Sequence, residues 1–562
     1  MTFRYSAGEL TEDLQICERK LTADQIGMRL KAFDHTIWSL SPKEIANRLG
    51  WLNLPVAMST ELEPIQRIVT HARSIGLTDV LLVGMGGSSL APEVFSQVIG
   101  TRPGYLRLRV LDSIHPDAVN AAVSATPPAK TLVIVSTKSG SSVETVSLFR
   151  YLYTWLVRKL GRIEARIRTV VITDPTSIIE QEARSLGVGH IVHGNTEVGG
   201  RYSALSVFGL VPAALMGANI RGILETATIE AEQPIEMSPG FQLGALLGTA
   251  ALTGRDKLSL RSSPRLAPLG AWIEQLVAES TGKQGLGIVP INRENEMTSK
   301  RFPKDRLFAF HHYNDELLSD MEPIRDAGQP MAECILESAE ELGAIMYRWQ
   351  LATAIAGAVM GINPFDQPDV EKAKQTTRNI IAEFRKTGEL SKLTQTTKGN
   401  DLTLYGPLFS TQDTDNVNEV ELSVAIDAFL RTPTSYLALN AFLSPNTATD
   451  TSLERLRQRI QKQYGTVTVW DYGPRFLHTT GQLHKGDSGR GSFIQLTANI
   501  NPDLPIPDKA GTVKSWLSFG VLLQAQSLGD RQALLDGGRR VICVGLGSDP
   551  IAGLDALAAM VD

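Results

Sequence analysis

Short apolar runs rich in β-branched residues alternate with amphipathic stretches along most of this 562-residue chain. Four runs between residues 79 and 174 are separated by segments with helical periodicity: DVLLVG (79–84), YLRLRVLD (105–112), TLVIVS (131–136) and RTVVITD (168–174). Strands that alternate with helices form βαβ units, in which a parallel sheet carries helices on both faces. The pattern therefore predicts a doubly wound α/β domain.

The same alternation is repeated further along the chain. Residues 257–261 and 286–291 are predicted as strands, and residues 268–281, 340–361 and 368–386 as helices. A polar stretch at 394–406 precedes a third segment with its own strand-like runs. We therefore predict an α/β protein with four parts, namely an N-terminal helical segment (1–60), two doubly wound parallel-sheet domains (61–235 and 236–393) and a C-terminal α/β segment (394–562).

Composition and charge exclude several classes of protein. The chain is 43% hydrophobic and 20% charged, with 55 basic and 60 acidic residues and a net charge of -5. This balance offers no electrostatic footprint for nucleic acid or for an anionic membrane. The N-terminus lacks the apolar core of a signal peptide, and no apolar stretch is long enough to span a bilayer. We therefore predict a cytoplasmic protein with no nucleic-acid or membrane partner.

The cysteines and histidines predict no metal site or disulfide framework. The three cysteines, Cys17, Cys334 and Cys543, are far apart and show no CxxC spacing. The nine histidines form no HExxH pair. We expect neither a metal nor an organic cofactor.

Two strand-to-helix junctions combine glycines with hydroxyl side chains. The first, GMGGSS, includes Gly87 and Ser88, and the second, STKSGSS, runs from residue 136 to 142. Helix N-termini present unpaired N–H groups and a partial positive charge, so such junctions favour an anion. A tight turn with hydroxyl caps explains either junction alone. Two of them at one carboxyl edge of a parallel sheet favour phosphate binding.

Several longer motifs resemble known enzymes. The two junctions, in GMGGSSLAPEVF and STKSGSSVET, are similar to those of the sugar isomerase (SIS) domain. Four other segments resemble the glucose-6-phosphate isomerase family, namely EVGGRYSALSVFGLVPAALMG, LAPLGAWIEQLVAESTGKQGLGIVP, NPFDQPDVEKAK and GPRFLHTTGQLHKG. The resemblance looks closest to the isomerase half of transaldolase/glucose-6-phosphate isomerase fusion proteins. It implies two SIS-type domains and interconversion of glucose 6-phosphate and fructose 6-phosphate through a cis-enediol.

The resemblance implies that Glu279 is the base that moves the proton. Without it, Glu279 and Lys283 would be interpreted as a surface ion pair four residues apart on a helix. Gln275 lies one turn earlier and is implied to contact the substrate phosphate, although a surface amide is the ordinary alternative. Arg201 is implied to stabilise the enediolate, the alternative being a salt bridge to Glu197 or another acid.

The remaining implied residues bind the phosphate or open the sugar ring. Lys374 and His478 are the ring-opening candidates. Nearby His484 and Lys485 are alternative candidates for the role of His478. For Lys374, the alternative is a solvated pair with Glu371 on the helix surface. The other implied contacts to the substrate are Gly87, Ser88, Thr137, Lys138, Ser139, Ser142 and Gln367, with Lys138 acting chiefly through its backbone.

His478 is where the chain departs from the family pattern. The histidine segment precedes the Gln…Lys helix in shorter family members but follows it here, and GDSGRG replaces an expected Gly-Gly-Pro-Asn after Lys485. In family homodimers this histidine comes from the partner subunit. Two alternatives stay open here: a homodimer in which the partner supplies the histidine, and a site completed within one chain by the rearranged tail. Two alternative functions stay open: a relaxed phosphoglucose/phosphomannose isomerase, and a non-catalytic sugar-phosphate-binding protein.

Overall fold

The computed structural model of the chain describes residues 1–294, 302–316, 318–399, 401–406 and 421–561. These residues form two compact units. Unit 1 comprises Met1–Asp112 and Ser124–Gln367, and unit 2 comprises Ser113–Val123 and Pro368–Asp562. Each unit has its own apolar core.

The regular elements of the described residues are numbered in chain order. The strands are β1 (Thr2–Ser6), β2 (Asp79–Val83), β3 (Arg107–Leu111), β4 (Thr131–Ser136), β5 (Thr169–Thr173), β6 (His190–His193), β7 (Lys257–Ser262), β8 (Val289–Ile291), β9 (Arg306–Tyr313), β10 (Met331–Leu336), β11 (Gln395–Gly399), β12 (Leu402–Tyr405), β13 (Tyr436–Phe442), β14 (Thr468–Tyr472), β15 (Gly491–Thr497), β16 (Pro505–Ile506), β17 (Leu517–Ser518) and β18 (Arg540–Gly545). The helices are α1 (Thr11–Ala23), α2 (Ile26–Lys31), α3 (Leu54–Ser59), α4 (Glu63–Ser74), α5 (Leu90–Ile99), α6 (Pro116–Ser124), α7 (Val143–Leu160), α8 (Arg162–Ile167), α9 (Ile178–Leu186), α10 (Val207–Leu215), α11 (Ile220–Glu232), α12 (Pro239–Leu252), α13 (Leu269–Thr281), α14 (Met321–Asp326), α15 (Leu342–Met360), α16 (Pro368–Thr387), α17 (Leu422–Arg431), α18 (Thr447–Tyr464), α19 (Gly481–Gly486), α20 (Phe519–Asp536) and α21 (Pro550–Ala559).

Unit 1 contains two five-stranded sheets. The first is parallel throughout, in the order β3-β2-β4-β5-β6. Its inner strands β2, β4 and β5 are buried at every position, which is why their sequences are almost continuously apolar. The second sheet has the order β1-β10-β9-β7-β8, parallel except for β1. The predicted doubly wound α/β fold is confirmed.

Some strands of unit 1 are not apparent from the apolar pattern. The first 60 residues, predicted as helical, also contain β1, which pairs antiparallel with β10 from more than 300 residues away. Strand β9 is buried along its whole length although it includes Arg306 and His312. Arg306 pairs with Glu294 at 3.0 Å, and His312 contacts Glu333 at 3.0 Å. These partners allow charged and polar side chains in a buried strand. Because of those residues, the strand does not stand out as an apolar run in the sequence.

Unit 2 is built on one six-stranded sheet with the order β11-β12-β18-β15-β13-β14. Strands β14, β13, β15 and β18 are parallel, and β12 joins β18 antiparallel. Within the polar stretch at 394–406, strands β11 and β12 pair antiparallel and extend this sheet at one edge. Within the described parts of the chain, no helix is both long and apolar enough to cross a membrane.

Candidate active site

The first glycine-rich junction packs directly against the segment that carries Arg201. Gly86–Ser88 form a short 3-10 helix between β2 and α5, and Gly200–Tyr202 form another. A Cβ added at Gly87 would lie 2.0 Å from the carbonyl oxygen of Gly200, so only glycine permits this approach. Helix α13, which carries Glu279, contacts both 3-10 helices.

The second junction lies beside the first because β2 and β4 are parallel neighbours. The Ser136 hydroxyl donates to the carbonyl oxygen of Ser88 at 3.0 Å and links the two junctions. Ser142 precedes α7 without a capping hydrogen bond from its side chain, so it leaves the first-turn N–H groups of this 18-residue helix to other acceptors. Thr137 is buried, whereas Ser139 is exposed. Hydroxyl and amide donors thus converge at one carboxyl edge.

The Lys138 side chain is committed to neighbouring protein groups. Its Nζ donates to both carboxylate oxygens of Asp174 and to the carbonyl oxygen of Asn195, each at 2.7 Å. Burial lowers the pKa of Lys138, and the hydrogen bond with Asp174 opposes that shift. The ammonium group of Lys138 is thus occupied by neighbouring protein groups, and the backbone role of Lys138 stays a prediction.

Glu279 lies near the C-terminal end of α13, and its side chain is 9% exposed. Gln275 Nε2 donates to a Glu279 carboxylate oxygen at 3.1 Å, and Arg201 Nη1 lies 3.5 Å from the other. The alternative interpretation of Glu279 as half of a surface ion pair with Lys283 is wrong, because both residues are buried and the pairing carboxylate of Lys283 is that of Asp366. Glu279 is therefore a buried carboxylate facing a guanidinium.

Arg201 connects α13 to the turn at 363–367. Its guanidinium donates to Ser280 Oγ at 2.7 Å and to the Pro364 carbonyl at 2.7 Å. It also donates to the Asp366 carbonyl at 3.1 Å and to Gln367 Oε1 at 3.2 Å. The neighbouring acid is Glu279 rather than Glu197. The structure thus brings the buried side chains of Arg201, Glu279 and Gln275 into one polar cluster within unit 1, with the partly exposed Gln367 at its edge.

Lys283 belongs to the same cluster, although the sequence interpretation did not place it there. Helix α13 ends at Thr281 and Gly282 is non-helical, so the four-residue helical spacing from Glu279 does not apply. Lys283 Nζ donates to the carbonyl oxygens of Asn363 and Asp366, at 2.6 and 2.5 Å. Burial, with a smaller contribution from Arg201, lowers the pKa of Lys283 to about 7. The glycine immediately before Lys283 was the available sequence signal.

The two ring-opening candidates belong to unit 2. Lys374 lies on α16 with its Nζ 2.6 Å from a Glu371 carboxylate oxygen, and its side chain is 35% exposed. This is the ion pair expected from the ordinary alternative. His478 ends the 3-10 helix Arg475–His478 and is partly exposed.

The two competitors of His478 are enclosed by protein. The ring of His484 is buried among Tyr436, Phe476 and Phe493, and burial lowers the pKa of His484 well below its usual value. Lys485 is also buried and donates to Asp530 at 2.5 Å. His484 and Lys485 are therefore both enclosed by protein groups. Of the two histidines in this segment, His478 is the one that is partly exposed.

Metal-binding geometry is not found among the described ranges. No group of three or more His, Cys, Asp or Glu side chains is placed there to hold a metal ion.

Comparison with known proteins identifies the family. A phosphoglucose isomerase family model matches residues 69–291. The chain is 30% identical over 409 residues to glucose-6-phosphate isomerase of Rubrobacter xylanophilus, covering 63% of this chain and 92% of that protein. It is 28% identical over 392 residues to glucose-6-phosphate isomerase of Thermus thermophilus, covering 60% and 91%.

Solved structures agree on the fold. The hypothetical protein TT0462 from Thermus thermophilus matches with a TM-score of 0.58 and 25% identity over 68% of this chain and all of that one. A glucose-6-phosphate isomerase from Chlamydia trachomatis matches with a TM-score of 0.56 at 17% identity, covering 68% and 88%, which supports the fold alone. The match at 30% identity covers 92% of the glucose-6-phosphate isomerase of Rubrobacter xylanophilus, so this chain belongs to the glucose-6-phosphate isomerase family.

Proposed function

We propose that this protein interconverts glucose 6-phosphate and fructose 6-phosphate, with Glu279 as the base. The proposal rests on the Glu279 carboxylate, which is buried. One of its oxygens accepts a hydrogen bond from Gln275 Nε2 at 3.1 Å, and the other lies 3.5 Å from Arg201 Nη1. A base that shuttles a proton between adjacent carbons needs a fixed carboxylate and a nearby fixed positive charge. This cluster supplies both.

The phosphate group of the substrate binds at the two junctions. Ser88, Thr137, Ser139 and Ser142 supply hydroxyl donors, and the first turn of α7 supplies N–H groups and the positive end of its dipole. Gly87 lets the first junction approach the segment of Arg201 closely. Anchoring the phosphate there holds the far end of the sugar and restricts the positions of C1 and C2.

Proton transfer follows from the cluster. Glu279 takes the proton from C2 of the open-chain aldose, and the C–H electron pair forms the C1=C2 bond as negative charge moves to O1. Arg201 stabilises that charge without acting as an acid, since its guanidinium keeps its proton. Transfer of the O2 proton to O1 and return of the C2 proton to C1 complete the ketose. Gln275 orients the carboxylate through its hydrogen bond.

Ring opening is assigned to Lys374 and His478 as part of the same proposal. A cationic lysine or histidine protonates the ring oxygen, while the other group removes the hydroxyl proton. The burial of His484 and the Lys485–Asp530 pair support His478 among the nearby basic groups. The proposal also includes that the protein forms a homodimer, that it is located in the cytoplasm, and that it resembles the isomerase half of transaldolase/glucose-6-phosphate isomerase fusion proteins. No comparison favours a relaxed isomerase or a non-catalytic sugar-phosphate-binding protein.

The test uses fructose 6-phosphate, with the glucose 6-phosphate formed read through a coupled dehydrogenase. We expect turnover by the wild type and a loss of kcat of about 1,000-fold or more in Glu279→Gln, because an amide cannot accept the proton. Glu274→Gln is the matched control, since it makes the same change on the same helix at a partly exposed position.

In heavy water the wild type should also introduce deuterium at the carbon that receives the returned proton, and Glu279→Gln should not. A wild type without turnover would refute the isomerase function. Equal rates for Glu279→Gln and Glu274→Gln would refute the assigned base alone.

A further inference from the structure

Two buried cations hold the turn at 363–367, which precedes α16. Lys283 donates to the carbonyl oxygens of Asn363 and Asp366 and lies 2.9 Å from an Asp366 carboxylate oxygen. Arg201 donates to the carbonyl oxygens of Pro364 and Asp366. The Asp366 carbonyl therefore accepts from both cations, which makes it the shared point of attachment.

This attachment reaches the Gln367 side chain. Arg201 donates from Nη1 to Gln367 Oε1 at 3.2 Å, and the same Nη1 is the nitrogen that lies 3.5 Å from Glu279. A displacement of the turn would move the acceptors that set the direction of this guanidinium. Positions at the turn and at the base are thus linked through a single side chain.

Lys283 is built into the protein rather than exposed to solvent. Its side chain is 3% exposed, and its ammonium group donates to two carbonyl oxygens and forms an ion pair with the Asp366 carboxylate at 2.9 Å. A buried ammonium is stable only when it is paired and fully hydrogen-bonded. Burial of the Lys283 ammonium therefore depends on the conformation of the 363–367 turn, and the turn is held in that conformation by Lys283.

We propose that Lys283 is a positioning residue for the isomerase reaction: it holds the 363–367 turn so that Arg201 and Gln367 are kept in place beside Glu279. This inference rests on the proposed function. Lys283 has no direct part in bond making, and its effect reaches the reacting atoms through Arg201.

The proposal has a consequence for the dependence of activity on pH. The charged or titratable groups that face Lys283 are Arg201, Glu279 and Asp366, with Tyr202 beside Arg201. Burial lowers the pKa of Lys283 to about 7 and raises that of Tyr202 to about 12. When Lys283 loses its proton, it loses the positive charge that pairs with the Asp366 carboxylate, and its attachment to the turn weakens. Activity should therefore decline as the pH rises past about 7, well before Tyr202 titrates.

The experiment compares Lys283→Met, Lys283→Arg and Asp366→Asn in the fructose 6-phosphate assay. Lys283→Met should lower kcat by about 10- to 100-fold and change KM less than about threefold, because misplacing catalytic groups by about 1 Å costs on the order of 100-fold. Lys283→Arg should recover part of that loss and should lack the decline near pH 7, because arginine does not titrate there. Asp366→Asn keeps both carbonyl acceptors and should have the smallest effect.

Lys257→Met is the matched control. Lys257 is a buried lysine paired with Asp256 at 2.6 Å, outside the cluster around Glu279. Its replacement should leave kcat within about twofold of the wild type. If Lys283→Met fails to fold, the pH profile of Lys283→Arg decides the matter.

The outcomes separate the two proposals. A wild type without turnover overturns the proposed function and this inference with it. An active wild type overturns this inference alone if Lys283→Met keeps the wild-type kcat, if Lys257→Met loses as much, or if Lys283→Arg retains the decline near pH 7.

Discussion

Unit 1 and unit 2 each contain a glycine-containing junction between a buried parallel strand and a helix, and the two differ in what their helix N-termini offer. After β4, Ser142 makes no capping hydrogen bond to α7. After β18, the Asp549 carboxylate accepts from the N–H groups of Ile551 and Ala552 at the start of α21. The Asp549 side chain thus caps two N–H groups of α21, whereas the Ser142 side chain caps none of α7.

The difference shows that glycines alone do not identify a phosphate site. GMGGSS at 84–89 and GLGSDP at 545–550 look alike as letters. In the first, Gly87 is required by a backbone contact with Gly200. In the second, a Cβ on Gly545 would lie 3.2 Å from the edge of the Tyr405 ring and 3.7 Å from the Thr403 carbonyl oxygen, which is ordinary contact with backbone. The capping residue and the close contact decide the role of each junction.

Among the changes that test this comparison of junctions, the largest effect is expected from Gly87→Ala. The added Cβ would lie 2.0 Å from the Gly200 carbonyl oxygen and must push the Arg201 segment away, so kcat/KM should fall by about 100-fold. Gly545→Ala is the matched control and should stay within about twofold. The coupled isomerase assay measures both. Similar losses in the two variants would contradict the distinction between the junctions.

A change at Ser142 should convert the α7 junction into one resembling that of α21. Ser142→Asp places a carboxylate at the helix N-terminus, where it occupies N–H groups and repels the substrate phosphate. KM for fructose 6-phosphate should rise about 30-fold, equivalent to about 2 kcal/mol. Ser142→Ala, which adds no charge, should raise it only a few-fold. The idea fails if the aspartate and alanine variants have the same KM.

His484 offers a third comparison, because unit 2 encloses this histidine whereas His478 is partly exposed. The pKa of His484 is lowered in the folded state, so the unfolded chain binds a proton that the folded chain does not. Stability should therefore fall as the pH drops below about 6.5, by up to about 1.4 kcal/mol per pH unit for one proton.

His484→Phe should reduce that fall, since the neighbouring rings of Tyr436, Phe476 and Phe493 accommodate an aromatic side chain. Denaturant unfolding at pH 7.5 and pH 5.5 measures the difference for both proteins. An equal fall in the wild type and the variant would show that His484 is not responsible.

The smallest effect is expected at the capped junction of unit 2. Asp549→Ala removes both hydrogen bonds to the start of α21 and should lower the free energy of unfolding by about 1 kcal/mol. Activity should remain within about twofold of the wild type. Thermal unfolding and the isomerase assay together test this, and a large rise in KM would assign that junction a role in substrate binding.

Much of the fold was predictable because buried parallel strands require apolar residues. The runs that became β2, β4 and β5 were recognised on that basis, and α13 was predicted with its start displaced by one residue. Strand β9 was not predicted, because Arg306 begins it and His312 lies near its end, and the partners that allow their burial are distant in sequence. The same reason applies to β1, whose pairing with β10 depends on a contact across most of unit 1.

The candidate site was predictable in its residues but not in its contacts. Glu279, Arg201 and Gln367 were assigned by resemblance to a family, and the structure places them together within unit 1. Lys283 was interpreted as a helical neighbour of Glu279, which holds only while the helix continues. Since α13 ends before Gly282, the chain turns and directs Lys283 towards Asp366.

The sequence by itself determined the alternation of strands and helices, the two hydroxyl-rich junctions and the family, because apolar periodicity and local motifs are properties of neighbouring residues. Only the tertiary structure decided that Glu279 is a buried carboxylate beside Arg201, that Lys283 holds the 363–367 turn, and that Asp549 occupies the N-terminus of α21. Burial and charge pairing depend on segments that are distant in sequence, and the interaction energies of ionised groups are set by that burial.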